Sequence, residues 1–224
     1  MKTFTVIITA GGIGSRMGAT IPKQFLEISG KPLLFHTLER FHEFDPSAEI
    51  LLTLPLDWQS YWDELIQQYK FSVPHHVVNG GEQRYDSVRN AMMVAQGHFI
   101  AIHDGVRPFV SNETLQRCWE AVRESEAVIP VLNLKDSVRE IREHGSQAVD
   151  RSLYRLVQTP QCFSKEILVQ AYKIPFNPTL TDDATLVEQM GVEIQLVDGN
   201  EENIKITTPF DLLLAEEIAK NSGK

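Results

Sequence analysis

The residues best suited to chemistry begin in "TAGGIGSRMGATIPKQF", residues 9–25, where glycines 11, 12 and 14 follow an apolar run and are themselves followed by Arg16 and Lys23. With no Cβ to obstruct them, the main-chain N–H groups of such a loop converge on an anion, and the two cations add formal charge at the same place. A phosphate group is the natural guest. The glycines read Gly-Ile-Gly-Ser-Arg-Met-Gly, one residue too long for the dinucleotide fingerprint of a dehydrogenase. A GxxxxGK[ST] phosphate loop has no match either, because the lysine follows Pro22.

Three further stretches carry candidate groups. "AIHDGVRP" places Asp104 just past a strand with Arg107 three residues later. A carboxylate there can hold Mg²⁺ against triphosphate oxygens or bind a hydroxyl, while the arginine favours an anion. In "NGGEQRYDSV", Gly80 and Gly81 end a strand and precede a helix, where close backbone approach can read the edge of a flat base. Lys205 alternates out of a short strand, Asn203–Ile206, with a solvated strand lysine as the alternative to a phosphate-positioning one. A metal-dependent phosphohydrolase built on His103–Asp104 needs further ligands on facing helices, so His103 reads as a packed, hydrogen-bonded core residue. His75 and His76, adjacent on a strand, point to opposite faces and cannot share a metal. Trp58 and Trp62 have helical spacing and read as a packing stripe.

These residues need a scaffold, and the chain spells one. Apolar or β-branched runs at Phe4–Thr9, Glu49–Leu54, His75–Val78, Phe99–His103, Ala127–Val131 and Val192–Val197 read as strands. Amphipathic stretches between them, at Leu33–Phe44, Trp58–Tyr69, Ser87–Ala95, Asn112–Glu124 and Lys165–Tyr172, read as helices, and Pro209–Lys220 as a closing one. The alternation predicts an α/β fold: a Rossmann-like, mostly parallel sheet with helices on both faces and ligands bound at the carboxyl ends of its strands. The charged segment from about Asn133 to Gln158, with Gly145 inside "LKDSVREIREHGSQAVDRS", breaks the pattern and reads as a protruding β-hairpin arm. Residues 1–224 are expected to form a single domain carrying that arm.

Bulk properties narrow the partners. A net charge of -9 with 8% aromatics offers no electrostatic footprint for nucleic acid or an anionic membrane, so any anion must be met by local cations. Cys118 and Cys162 lie far apart without CxxC spacing, which argues against a disulfide framework or structural zinc. The apolar N-terminal run is far short of a transmembrane span, and the cytoplasm is the default location.

Seven motifs in order, "AGGIGSRMG" with "PKQF", "GGEQRYDSV", "HDGVRP", "VDR", "QTPQ", "TDDAT" and "NIKIT", resemble the 2-C-methyl-D-erythritol 4-phosphate cytidylyltransferase family of the non-mevalonate isoprenoid pathway. Enzymes of this kind transfer CMP from CTP to a sugar-alcohol phosphate and release pyrophosphate. Because two anions must meet, the resemblance implies catalysis by charge neutralisation and alignment, with little acid–base work. By resemblance Arg16, Lys23, Arg151 and Lys205 are catalytic. Ala10, Gly11, Gly12, Gly14, Gly80, Gly81, Ser87 and Asp104 bind the nucleotide, with Ser87 at the edge of a cytosine pocket. Asp104, Arg107, Ser137, Arg151 and Thr159 bind the acceptor, and Asp104 is the candidate ligand for Mg²⁺. A homodimer through the arm is implied, in which arm residues could reach a neighbour's site. Two departures from the family pattern stand out: Gly105-Val106 replaces a common Ala-Ala, and Asp136-Ser137 replaces an Asp-Thr pair after a two-residue insertion. The alternatives are the same chemistry on D-ribitol 5-phosphate and a nucleotide-binding regulator without catalysis.

Overall fold

The computed structural model describes residues 3–12 and 21–222. Strand β1 (Phe4–Thr9) is apolar on both faces and lies at the centre of the sheet, as strands covered on both sides must. It pairs in parallel with β4 (Glu49–Leu54) and β6 (Phe99–Asp104), and β4 pairs in parallel with β5 (His76–Asn79). Between β1 and β4 lie a two-stranded ribbon, β2 (Glu27–Ile28) with β3 (Lys31–Pro32), and helix α1 (Leu33–Phe44). Helix α2 (Gln59–Tyr69) leads to β5 and α3 (Arg84–Val94) leads to β6.

Beyond β6 the sheet becomes mixed. Helix α4 (Asn112–Ser125), capped by the Ser111 hydroxyl and ended by Glu126 in a left-handed conformation, feeds β7 (Ala127–Asn133). The chain then runs out through β8 (Val138–Ile141) and β9 (Ser146–Val149) and returns as β10 (Arg155–Val157) and β11 (Gln161–Ser164). Both returning strands run antiparallel to β7 along one of its sides, separated by the cis Thr159–Pro160 peptide, and β11 also pairs antiparallel with β6. Helices α5 (Lys165–Ala171) and α6 (Asp183–Glu188) precede β12 (Gln195–Asp198), which pairs in parallel with the other side of β7. Helix α7 (Pro209–Ser222) closes the described chain.

The period-two alternation of the strands divides the core into two layers. Val6, Ile8, Ile50 and Leu52 face α1, α2 and α4, where Trp62 and Trp119 are buried. Ile7, Leu51, Ile100 and Ile102 face α3, α5 and α6. The glycine at 97, in the loop between α3 and β6, lets that loop pack against the start of β1: a β-carbon there would lie 2.5 Å from the Thr5 amide nitrogen.

The expected architecture is present, with three corrections. The arm is shorter than 133–158, because β10 belongs to the main sheet and only β8 and β9, turning at Gly145 (φ 90), form a separate hairpin. Lys205 does not lie on a strand: residues 203–206 make a single backbone–backbone bond to the sheet side of the site, Ile206 N–H to Val106 O at 3.0 Å. His75 falls just outside its strand, where its Nε2 accepts the Trp62 indole N–H at 3.0 Å. Both cysteines are buried free thiols, and no helix among the described residues is long and apolar enough to cross a membrane.

Candidate active site

The parallel register brings the ends of β1 and β6 level, Thr9 beside Asp104, and the loops after β1, β5 and β6 emerge on this one edge. The first loop is tied down at both flanks: Ala10 N–H donates to Thr53 O at 3.1 Å, and buried Gln24 donates its side-chain amide to Ala10 O at 2.6 Å. Gln24 sits in the short turn Lys23–Phe25, so the same turn that anchors the loop carries Lys23. A β-carbon on Gly12 would lie 3.7 Å from Lys23 Cε, and one on Gly11 3.8 Å from Ser87 Oγ. The lysine and Ser87 of the "NGGEQRYDSV" segment therefore flank the glycine backbone closely. Arg16 and Gly14 lie outside the described residues.

The second glycine pair is sterically required. Gly80 N–H donates to Leu54 O at 2.8 Å, and a β-carbon on Gly81 would lie 2.2 Å from Asp86 Cβ. Ser87, expected at the edge of a base pocket, uses its hydroxyl to hold the turn: it accepts from Gly81 N–H at 3.0 Å and donates to Gln83 O at 3.1 Å.

Asp104 lies at the centre. It is 6% exposed and surrounded by cations, with Arg107 Nε and Lys205 Nζ each 3.1 Å from Oδ2 and Arg84 Nε 3.8 Å from Oδ1. Burial alone would raise the carboxyl pKa, but Arg84, Lys205, Arg107 and His103 outweigh it and hold Asp104 well below the ordinary carboxylate range. Beneath it, His103 is fully buried, which lowers its pKa to about 4 and leaves it neutral. Its Nε2 lies 2.9 Å from the Arg107 carbonyl and must carry the proton, so Nδ1 accepts the Thr159 hydroxyl at 3.0 Å. Thr159 Oγ in turn accepts the Asp104 N–H at 3.1 Å. The Thr159 proton is thus committed to the histidine, and in this arrangement the threonine positions Asp104.

Two cavities meet at this cluster. A cleft of about 400 Å³ is lined by Ala10, Gly11, Gly12, Lys23, Gly81, Ser87, Arg84, Asp104 and Lys205, among others. A second, of about 290 Å³, is lined by Arg84, Asp104, Arg107, Thr159, Gln161, Asp182 and Lys205. Lys23 and Lys205, far apart in sequence, share the first cleft, and Arg84, Asp104 and Lys205 form the wall common to both. Ser137 and Arg151 join neither: both are exposed on the arm, and Arg151 donates to the Lys135 carbonyl. Among the described residues no group of three or more His, Cys, Asp or Glu could hold a metal ion.

The model of the IspD family, described as 2-C-methyl-D-erythritol 4-phosphate cytidylyltransferase, matches residues 4–221. The chain belongs to this family. A cytidylyltransferase of that name from Bacteroides thetaiotaomicron is 49% identical over 215 residues, 96% of this chain and 98% of its own. One from Bacteroides fragilis is 50% identical over the same shares. Among solved structures, the 4-diphosphocytidyl-2C-methyl-D-erythritol synthase from Anaerococcus prevotii superposes with a TM-score of 0.85 at 28% identity, covering 98% of this chain and 96% of that one. The 2-C-methyl-D-erythritol 4-phosphate cytidylyltransferase from Thermus thermophilus gives 0.78 at 33% identity, covering 98% and 100%.

Membership in the family makes the chain a nucleotidyltransferase. It also sets off what residue reasoning left out. Arg84 lies inside a motif read for its glycines, and its contacts to Asp104 and Asp183, 20 and 99 positions on, exist only in the fold. Asn203, Gln158 and Gln161 are buried polar residues that brace the site: Asn203 donates to Thr159 O at 2.8 Å, and Arg107 donates to Asn203 O at 2.8 Å. A buried amide of this kind has no signature in a single sequence, because nothing local distinguishes it from a surface asparagine.

Proposed function

We propose that the chain transfers the cytidylyl group of CTP to 2-C-methyl-D-erythritol 4-phosphate, with release of pyrophosphate. The observation that carries this reading is the junction of two cavities at Arg84, Asp104 and Lys205, with Lys23 across the glycine loop. CTP fits the first cleft, its phosphates against the N–H groups of Gly11 and Gly12 and Lys23 and its base towards Gly81. The acceptor fits the second, its phosphate towards Arg107 and Lys205. An acceptor phosphate oxygen then forms a bond to the α-phosphorus while the bond to the β-bridging oxygen breaks, and the electron pair leaves with pyrophosphate. The nucleophile is already ionised, so the residues asked to act are cations that meet charge as it builds, a contribution of about 3 kcal/mol per group. Arg16 is assigned the same work by the loop it follows.

The donor set suits magnesium bound jointly with substrate, since Mg²⁺ is commonly held by one or two carboxylates plus phosphates and water. Asp104 would hold it through Oδ1, the oxygen whose neighbouring cation stands 3.8 Å away. Magnesium when bound supplies further neutralisation of the triphosphate. We assign Arg151 and Ser137 to the acceptor site of a partner subunit, in a homodimer formed through the arm. Ile141 and Leu153, 81% and 79% exposed on the arm, and Leu156, exposed on β10, are apolar side chains that such a dimer would cover. The cytoplasm, where CTP is made and used, is the proposed location.

The test is pyrophosphate release from CTP or UTP with 2-C-methyl-D-erythritol 4-phosphate or D-ribitol 5-phosphate. The reading expects release with CTP and the methylerythritol phosphate in preference to the other three pairs. Faster release with ribitol phosphate reassigns the acceptor, and no release with any pair overturns the reading.

A further inference from the structure

Arg84 is unusual in lining the nucleotide cleft, the second cavity and a third pocket formed with Tyr172, Asp182 and Asp183. Its Nη2 donates to Asp183 Oδ2 at 2.7 Å, while Nε of the same planar group stands 3.8 Å from Asp104 Oδ1. Asp183 is 1% exposed, and its other oxygen accepts the Tyr172 hydroxyl at 2.6 Å. Burial, and then the Asp183 charge, raise the tyrosine pKa well above its ordinary value, so the tyrosine remains a donor. The backbone is held as firmly as the side chains. Asp183 N–H and Ala184 N–H both donate to Gln161 Oε1 at 3.0 Å, and Tyr85, next to Arg84, stacks on Tyr172 with its hydroxyl 2.9 Å from the Tyr172 carbonyl.

We propose that Asp183 is a positioning residue that acts through Arg84, drawing the guanidinium away from Asp104 so that Asp104 Oδ1 stays available to the bound substrates. The assignment rests on the transferase reading given above. If the Asp183 charge is removed, the guanidinium has one carboxylate left, and the 3.8 Å separation contracts to a direct hydrogen bond that occupies Oδ1. The effect falls on whatever depends on Oδ1, the second cavity and the metal held with the triphosphate. CTP without magnesium still meets Lys23 and the N–H groups of Gly11 and Gly12, whereas Arg84, Arg107 and Lys205 in the second cavity all pair with Asp104.

The experiment compares Asp183→Asn, Tyr172→Phe and Arg84→Lys with the unaltered chain by steady-state kinetics and by calorimetric titration with CTP alone. Asp183→Asn is expected to lower kcat/KM for the acceptor at least tenfold while the Kd for CTP titrated without magnesium stays within threefold. Tyr172→Phe should do the same to a smaller degree. Arg84→Lys should copy Asp183→Asn, because a point charge cannot present two edges of a planar fork; it also keeps the test open if the buried Asn variant fails to fold. A merely structural role would lower the melting temperature and weaken CTP and acceptor together, and that result, or unchanged kinetics, overturns the assignment. An unaltered chain that releases no pyrophosphate overturns the transferase reading and this proposal with it, whereas an active chain with an unaffected Asp183→Asn variant overturns the proposal alone.

Discussion

His103 lies under Asp104 with both ring nitrogens used, one towards the Arg107 carbonyl and one towards the Thr159 hydroxyl. Protonating it in place would cost the bond from Thr159 and put a charge where no water reaches, so burial lowers its pKa to about 4 from an unfolded value near 6.5. Between those values the unfolded chain binds more protons, so stability rises with pH. The contribution is complete above about pH 6.5 and is lost as pH falls through about 4, amounting to roughly 3 kcal/mol. Urea unfolding midpoints measured from pH 4 to 7 should therefore slope less in His103→Gln than in the unaltered chain; equal slopes would contradict the buried neutral histidine. His36 and His75 are shifted the same way by burial and contribute to both slopes alike. At this scale the sequence was partly legible. Lys23 and Asp104 could be singled out because their types and a flanking glycine loop or strand implied phosphate chemistry, and Lys205 through the resemblance of "NIKIT" to the family. Thr159 could be placed near the acceptor but not turned towards His103, because that direction depends on a strand 56 positions away.

At the scale of elements, two glycines do different work, and substitution separates them. In Gly97→Ala the new β-carbon meets the backbone at Thr5 and Phe4, at 2.5 and 2.6 Å, atoms in the central strand that cannot yield. Thermal unfolding should show a loss of about 3 kcal/mol or more, as for other overpacked sites. In Gly81→Ala the collision is with Asp86 in the first turn of α3. That turn lies at the cleft, so the expected result is a CTP KM raised at least tenfold with a much smaller stability loss. Equal stability losses in the two variants would contradict this division. The parallel half of the sheet was readable because buried strands such as Phe4–Thr9 and Glu49–Leu54 are continuous apolar runs and α1 carries a clear stripe. Strands β10 and β11 were not, since each is three or four residues long and they are split by Pro160. Their place is set by β7, whose pairing no local pattern encodes. The same limit explains Lys205, whose segment alternates like a strand but makes too few backbone bonds to be one.

For the whole molecule, the proposed dimer turns on the arm. Arg151 and Ser137 reach neither cavity of their own chain, and Ile141 and Leu153 on the same arm are exposed. Mixing Lys23→Ala with Arg151→Ala chains tests the proposed exchange. If each arm serves its partner, one site of every mixed dimer is intact, and random pairing restores about a quarter of full activity; if each arm serves its own chain, none returns. The electrostatic account as a whole is tested most directly by kcat for Lys205→Ala and Lys23→Ala with both substrates saturating. Each should lose about a hundredfold or more in pyrophosphate release, with the melting temperature nearly unchanged. Turnover within a few-fold of the unaltered chain in both variants would contradict the claim that these converging cations drive the transfer.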